Sequence, residues 1–307
     1  MKKLILNTPW GKSEVKAQEQ QATPQQKANV FDPKTIPPVV HQLWKYLEIF
    51  KPAGLGARPT PGKLNKNLVA MLRGAGQFFN TLRALCDLLN LKLDEFEIIS
   101  IDQELTEFGV LLEKYRSDKV QSMVHGGEEG FMHRYDLIYT DILDELKNKQ
   151  NVNILEIGIG TDNPNVPSNV GAQNEPGAFL LAASEYMPGA NIHGADVDKG
   201  VLFEAENIKT AYVDQLAPTT FQKMHEELGS KDYDLIIEDG LHSVTASLNT
   251  LIWSVKNLKK GGLLVMEDLY NPYGIWRVIS TLINLHSKNL KSNLYNCGGN
   301  LIIVEKL

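Results

Sequence analysis

Two segments of the chain end an apolar run in carboxylates, and they suggest where chemistry takes place. In "YDLIIEDGLHSV" a run of Leu and Ile is followed by Glu238, Asp239 and His242, and "LLVMEDLY" supplies Glu267 and Asp268. If the two runs are neighbouring strands, their acids converge at the sheet edge where α/β proteins bind ligands. Converging carboxylates raise one another's pKa, and a divalent cation removes that conflict. The sequence therefore predicts a metal site formed by Asp239, Glu267 and Asp268.

The donor atoms of this site favour a hard cation. Oxygen ligands, with no cysteine and at most one nearby histidine, are typical of Mg²⁺ rather than zinc, with water and substrate completing the coordination shell. The alternative is that some of these acids cap helices or face water. His242 follows three residues after Asp239, and a neutral imidazole is suited to removing a proton from a hydroxyl near neutral pH. We expect His242 to be a general base, although a lone histidine is more often structural.

A glycine-containing loop predicts a cofactor site. "LEIGIGTD" places Glu156, Gly158 and Gly160 directly after a strand-like run, where a ligand can approach the backbone closely. A nicotinamide dinucleotide would need a helix to begin at once and receive its pyrophosphate. Here the loop continues through "TDNPNVPSNVGAQNEP", and the helix begins only near Gly177. A cofactor without phosphates is favoured, and a tight structural turn is the alternative.

Two further strand ends carry residues suited to a nucleoside. "GADVD" places Asp196 where a carboxylate can accept both ribose hydroxyls, and "YVDQ" places Asp214 and Gln215 where an adenine edge is expected. Each residue alone is more often a solvated strand end. Their order and spacing together favour a nucleoside-containing cofactor.

Composition limits the classes of function. The chain has 307 residues, of which 43% are hydrophobic and 22% charged, as in a soluble globular protein. A net charge of -6 and a pI near 5.7 argue against nucleic-acid binding and favour a small-molecule partner. Cys86 and Cys297 lie far apart and suggest neither a disulfide framework nor a CxxC metal site. No segment resembles a signal-peptide core or a membrane span, so we expect a cytoplasmic protein.

The N-terminal part differs from the rest in composition and in the spacing of its apolar residues. Residues 1–38 are expected to be a flexible arm, because the stretch from Ser13 to Pro38 is rich in Gln, Lys, Glu and Pro and poor in apolar groups. Residues 39–120 carry helical apolar spacing in "VVHQLWKYLEIF", "LNKNLVAMLRGAGQFFNTLRALCDLLN" and "LTEFGVLLEKYR". This helical region is expected either to cover the substrate as a lid or to pack as a dimerisation cap, which would produce a homo-oligomer.

Residues 121–307 are expected to hold the site. After Asn151, strand-like and helix-like runs alternate, which predicts an α/β fold with a Rossmann-like, doubly wound and mostly parallel sheet. The tail "NLYNCGGNLIIVEK" has two strand-like runs around Gly298 and Gly299, and it predicts a C-terminal antiparallel hairpin.

These motifs together resemble a known class of enzymes. Glu156, Asp196 and Asp214 at successive strand ends, followed by the hairpin tail, match the class I S-adenosylmethionine-dependent methyltransferases over residues 151–307. "LEIGIG", "GADVD", "DGLH" and "EDLY" resemble more narrowly the metal-dependent O-methyltransferases that modify antibiotic sugars, such as the macrolide sugar methyltransferases. A segment similar to "HRYDLIY" also precedes the first strand in that family, which implies that His133 and Tyr135 lie near the cofactor.

The resemblance implies methyl transfer from S-adenosylmethionine to a hydroxyl of a small natural product, such as a glycoside sugar, a polyketide or a peptide metabolite. It also implies that Asp239, Glu267 and Asp268 hold Mg²⁺ and that His242 is the base. Alternatives are an iron-dependent hydroxylase or a C-methyltransferase on the same fold, and, from another class, a non-catalytic binding partner.

Overall fold

The computed structural model describes residues 4–8, 11–15, 84, 86, 88, 90–120, 122–125, 128–163, 165–166, 168, 174–229, 232–269 and 274–307. The first predicted helix and most of the second lie outside these residues. The strands are β1 (Leu4–Thr8), β2 (Gly11–Val15), β3 (Phe96–Ile98), β4 (Ser122–His125), β5 (Glu128–Met132), β6 (Asn153–Ile157), β7 (Asn191–Asp196), β8 (Glu204–Ala205), β9 (Ile208–Tyr212), β10 (Tyr233–Glu238), β11 (Leu258–Met266), β12 (Leu290–Asn296) and β13 (Asn300–Lys306). The helices are α1 (Glu107–Lys114), α2 (Asp136–Lys147), α3 (Ala178–Tyr186), α4 (Thr219–Leu228), α5 (Val244–Asn257) and α6 (Ile275–His286), with 3₁₀ turns at Asp118–Val120 and Lys199–Val201.

A nine-stranded sheet forms the centre of the fold, in the order β3-β12-β13-β11-β10-β6-β7-β9-β8. The strands β11, β10, β6, β7 and β9 run parallel to one another. β13 pairs antiparallel with both β11 and β12, so the C-terminal hairpin enters the sheet. The predicted Rossmann-like sheet with an antiparallel hairpin is confirmed.

Apolar clusters cover both faces of this sheet, as a doubly wound fold requires. One cluster joins α1, α2 and α3 through residues such as Phe108, Tyr139 and Phe179, and the other joins α4 and α6 through Phe221 and Trp276. All six residues of β10 are buried. A strand covered on both faces is expected to read as a continuous apolar run, which is why β10 was recognisable in the sequence.

Several described elements were not anticipated, among them α2, α6 and the edge strand β3. β3 lies in the region expected to be helical, and it pairs in parallel with β12. α1 comes from the same region and packs on α3, with the rings of Phe108 and Phe179 5.6 Å apart. β1 and β2 form a separate antiparallel pair within the expected arm. Residues 90–120 therefore share a core with the sheet, while the role of residues 39–83 stays a prediction.

Within the described part of the chain, no helix combines the length and the apolar character that crossing a bilayer requires.

Candidate active site

The carboxyl ends of β6, β10 and β11 bring the predicted acids together. β10 lies between β6 and β11 in the sheet, with Glu238 in register with Ile157 on one side and Met266 on the other. The ladder continues past the strand ends, because Asp239 N donates to the carbonyl of Ile157 and Glu267 N donates to that of Glu238. Asp239 and Glu267 are thus fixed at one edge of the sheet by backbone hydrogen bonds.

A buried lysine, Lys119, lies among these acids. Its ammonium is 2.5 Å from Asp239 Oδ2, 2.9 Å from Glu267 Oε2 and 3.2 Å from Glu156 Oε1, and its side chain is 2% exposed. This residue is not among those predicted from the sequence. Converging acids indicate that a cation is needed, but Lys119 is 120 and 148 residues away from two of its partners along the chain. No local pattern marks it among the other lysines.

One ammonium cannot neutralise all of the neighbouring carboxyl groups when they are ionised. We call the following residues the acid cluster: Asp118, Glu156, Asp239, Glu267 and Asp268. Burial raises the pKa of Glu156 to about 8 even though Lys119 opposes the shift. Burial likewise raises the pKa of Glu267 well above its ordinary value. At Asp239 burial acts in the same direction, but Lys119 and His242 outweigh it and hold the pKa below the ordinary value. A further cation would relieve the remaining repulsion.

Asp239, His242 and Asp268 form the outer part of the site. One ligand atom from each lies within 4.8 Å of the others, and all three side chains are partly exposed. His242 Nε2 is 3.7 Å from Asp239 Oδ1. Burial disfavours the charged form of His242, but Asp268 and Asp239 outweigh it and raise the pKa. Two carboxylates and an imidazole are donors that suit a divalent cation.

The backbone at two of these residues is strained. His242 and Asp268 have φ angles of 52° and 46°, in the left-handed region that residues other than glycine adopt with difficulty. Ser243 follows His242 and caps α5 by accepting a hydrogen bond from Ala246 N, which fixes where the helix begins. Such strain persists where the surrounding structure enforces it, and it clusters at functional sites.

Glu267 and Tyr135 are buried deeper in the protein than this outer group. Glu267 accepts hydrogen bonds from Lys119 and from the Tyr139 hydroxyl, and it is almost fully buried. Tyr135 is also buried, and its hydroxyl donates to Asp268 Oδ1. The structure therefore places Tyr135 behind the acid cluster, where it orients a carboxylate.

A cavity opens beside the acid cluster, at the ends of β6, β7, β9 and β10. Eight of the predicted site residues line it: Glu156, Gly158, Gly160, Asp196, Asp214, Gln215, Asp239 and His242. Four others do not: Tyr135, Gly177, Glu267 and Asp268. The lining includes six carboxylates, and among its described residues Lys119 is the only lysine or arginine. Such a cavity is unsuited to phosphates and suits a ligand that carries positive charge.

The glycines serve contacts within the chain. A Cβ on Gly158, where φ is 89°, would lie 2.0 Å from the Asp239 carbonyl oxygen, and one on Gly240 would lie 2.2 Å from Gln215 Oε1. Only glycine allows these loops to approach so closely. Gly160 and Gly177 also have positive φ angles, and Gly177, which is the N-cap of α3, donates its N–H to the carbonyl of Ile159.

The residues predicted to bind a nucleoside lie along the cavity wall. Asp196 accepts from the N–H groups of Ile159 and Asp198, and burial raises its pKa to about 6 against the effect of these bonds. Gln215 is engaged on both sides, because Nε2 donates to Glu238 and Oε1 accepts from Leu241 N.

Asp214 Oδ1 accepts a hydrogen bond from Leu216 N. Gln215 thus holds the turn after β10, and Asp196 fixes the glycine loop. Glu156 Oε2, in the same cavity, is buried without a hydrogen-bond partner among the described residues. An unpaired acceptor in an acidic cavity fits a cationic cofactor.

The comparisons with known proteins agree with this arrangement. No protein-family model matches the chain. An L-olivosyl-oleandolide 3-O-methyltransferase from Streptomyces antibioticus is 29% identical over 160 residues, which are 52% of this chain and 36% of that protein. A mycinamicin VI 2''-O-methyltransferase from Micromonospora griseorubida is 28% identical over 149 residues, 47% of this chain and 33% of the relative. The chain thus spans about a third of the length of the curated relatives it matches.

A solved structure extends the likeness in fold. MycE, a methyltransferase of the mycinamycin biosynthetic pathway in complex with Mg and SAH, has a TM-score of 0.50 and 22% sequence identity. The match covers 66% of this chain and 55% of MycE. The resemblance that the motifs predicted is confirmed: the chain is similar to class I S-adenosylmethionine-dependent methyltransferases, and among them to the macrolide sugar O-methyltransferases.

Proposed function

We propose that this chain is a Mg²⁺-dependent O-methyltransferase that transfers a methyl group from S-adenosylmethionine to a hydroxyl of a small natural product. The acceptor class is a glycoside sugar, a polyketide or a peptide metabolite. The observation that carries the proposal is the contact between two features: an acid-lined cavity and, at its edge, the group formed by Asp239, His242 and Asp268. The names of the relatives support it, since each describes an O-methyltransferase.

The cavity is assigned to S-adenosylmethionine. This cofactor supplies a methyl group on a positively charged sulfur, and its transfer to an oxygen releases a proton. Glu156 offers an unpaired oxygen to the positive charge, while Gly158 and Gly160 expose backbone to the ligand. Asp196 is assigned to the ribose hydroxyls. Asp214 and Gln215 are assigned to the adenine edge, with Gln215 acting through the turn that it holds.

The acid cluster is assigned to Mg²⁺, with Asp239 and Asp268 as ligands and Glu267 directly behind them. Mg²⁺ supplies Lewis-acid chemistry, which lowers the pKa of an alcohol. The carboxylates also orient the acceptor by fixing where its oxygen can lie, and alignment accounts for much of the acceleration in a displacement of this kind.

His242 is assigned as the base that accepts the hydroxyl proton. It lies at the edge of the cavity and beside Asp239 and Asp268, whose negative charges favour the protonated imidazole once the proton has moved. General bases contribute about 10² to 10⁴ in rate. His242→Ala should therefore lower turnover by a factor in that range while S-adenosylhomocysteine still binds.

The test begins with calorimetric titration of the metal-stripped protein with S-adenosylhomocysteine, with and without Mg²⁺. Saturable binding near one site per chain, with a metal effect on the affinity or the heat, is expected. No binding in either condition would contradict the proposal. Metal analysis and product mass separate the alternatives, because a hydroxylase needs iron and adds an oxygen atom rather than a methylene unit.

A further inference from the structure

The position of Lys119 has a consequence for the metal site. The lysine comes from the 3₁₀ turn after α1, outside the parallel strands, and its ammonium contacts carboxylates at the ends of three strands. It also lies 5.6 Å from the centre of the Phe179 ring. The lysine is thus enclosed, and one of the acids that it contacts, Asp239, is a ligand of the proposed cation.

The two oxygens of Asp239 face different neighbours. Oδ2 accepts from the ammonium of Lys119, whereas Oδ1 lies toward His242 Nε2. Lys119 also occupies one oxygen each of Glu156 and Glu267. Part of the negative charge at the site is therefore already neutralised within the chain, and less of it is available to an incoming divalent cation.

A counter-ion that serves only the fold would behave differently. Its loss would disorder the carboxylates and weaken every ligand that depends on them. Removing a positive charge that competes with the cation would instead strengthen cation binding, because two like charges a few ångströms apart repel strongly in a buried site. The sign of the change in cation affinity therefore separates the two roles.

We propose that Lys119 is a positioning residue that acts as an internal cation: it holds Glu156, Glu267 and one oxygen of Asp239, and so sets the affinity of the divalent-cation site. This inference rests on the metal part of the proposed function. The charge of Lys119 lowers the affinity of the site for a divalent cation. The cation is therefore exchangeable, and it is retained best when an acceptor supplies further oxygen ligands.

The test is titration of the 307-residue chain with Mn²⁺, followed by electron paramagnetic resonance of the free ion. Lys119→Met removes the charge and keeps the length of the side chain. Its dissociation constant for Mn²⁺ should fall by a factor of about ten or more, the order expected for removal of one like charge at this range. Lys114→Met is the matched control, because Lys114 pairs with Glu185 in an exposed position. It should leave the constant unchanged.

A second substitution tests the mechanism. In Lys119→Met/Glu267→Gln one carboxylate released by the first change is neutralised, and the affinity should return toward that of the wild type. Glu156→Gln is informative even if Lys119→Met does not fold. Measured above pH 8, where the Glu156 carboxyl is largely ionised, it leaves Lys119 with one anion fewer, and it should weaken Mn²⁺ binding about threefold or more, although Glu156 is outside the group of Asp239, His242 and Asp268.

The outcomes are distinct. Unchanged or weaker Mn²⁺ binding by folded Lys119→Met, or unchanged binding by Glu156→Gln, overturns the role of Lys119 alone. If neither the wild type nor Lys119→Met binds Mn²⁺, this inference and the metal part of the proposed function both fail. If S-adenosylhomocysteine does not bind but the Mn²⁺ constants shift as expected, the cofactor assignment fails and the role of Lys119 stands.

Discussion

Two buried charged groups lie close together in this protein, and only one of them is balanced. Arg134 and Asp136 are 2% and 0% exposed and form an ion pair. All five N–H groups of the guanidinium have acceptors, which are the Asp136 carboxylate and the carbonyls of Ile101, Gln103 and Glu104. Its charge and its hydrogen bonds are complete without any ligand.

The group around Lys119 is incomplete in both respects. Its single ammonium faces the acid cluster, and Glu156 Oε2 has no partner among the described residues. The contrast shows how the same residue types serve different purposes. The balanced pair of Arg134 and Asp136 joins residues 101–104 to the start of α2. The group around Lys119 is incompletely neutralised, so it can still bind a cation.

The largest expected effect is on the balanced pair. Arg134→Met should destabilise the fold by about 3–5 kcal/mol, because it leaves the Asp136 carboxylate buried without its partner. Denaturant unfolding measures the change. Arg134→Met/Asp136→Leu should recover part of the loss, since the lone charge is gone. A loss below about 1 kcal/mol for the single variant would mean that the pair is less important than its burial indicates.

The second prediction concerns the unbalanced group. Mg²⁺ should raise the unfolding free energy of the wild type, by about 2.7 kcal/mol at a hundred times its dissociation constant. Asp239→Asn and Asp268→Asn should abolish most of this gain, because each removes a carboxylate from the outer group. Thermal unfolding with and without Mg²⁺ measures it. An equal gain in these variants would place the cation elsewhere.

A buried histidine gives a third effect, which develops only as the pH falls. His193 is 7% exposed, and burial lowers its pKa from 6.5 to about 4. The unfolded chain therefore binds a proton that the folded chain does not, and stability should be lost as the pH falls from 6.5 toward 4, by up to about 3 kcal/mol. His193→Phe should flatten this part of the pH profile relative to the wild type. An unchanged slope would assign the acid sensitivity to other groups.

The smallest effect is expected at an exposed pair. Lys114 and Glu185 form a short ion pair on the surface, but solvent screens it and both side chains stay hydrated. Lys114→Met should shift the thermal midpoint by no more than the scatter between repeated measurements. A clear shift would show that burial is not what separates the strong charged groups from the weak ones.

The sequence predicted the elements whose signal is local. β10 and β11 were visible as apolar runs that end in acids, and the turn at Gly298 and Gly299 revealed the hairpin. β3 was missed because three residues are too few to show a pattern. α6 was missed although Ile275, Trp276, Ile279 and Ile283 fall at helical spacing and pack on one core cluster.

The candidate site was also predictable only where its signal is local in the sequence. The acids at strand ends could be named, since each follows its own apolar run. The roles of Lys119 and Gln215 depend on contacts between segments that are distant in the sequence. Gln215 holds the turn after β10 by such a contact. Gly158 was noticed for its type, but the reason for it is the carbonyl of Asp239, which only the folded chain brings near.

The place of β13 in the sheet affects how the protein is made. β13 is the last strand of the sheet along the sequence, yet it lies in the interior between β11 and β12. While the ribosome is still adding residues, the edge of β11 stays unpaired, and β12 has no neighbour on that side. The nascent chain therefore exposes an open strand edge until β13 has been made, which is a state that aggregates readily and that chaperones protect. Completion of the sheet is a step that follows synthesis of residues 300–306.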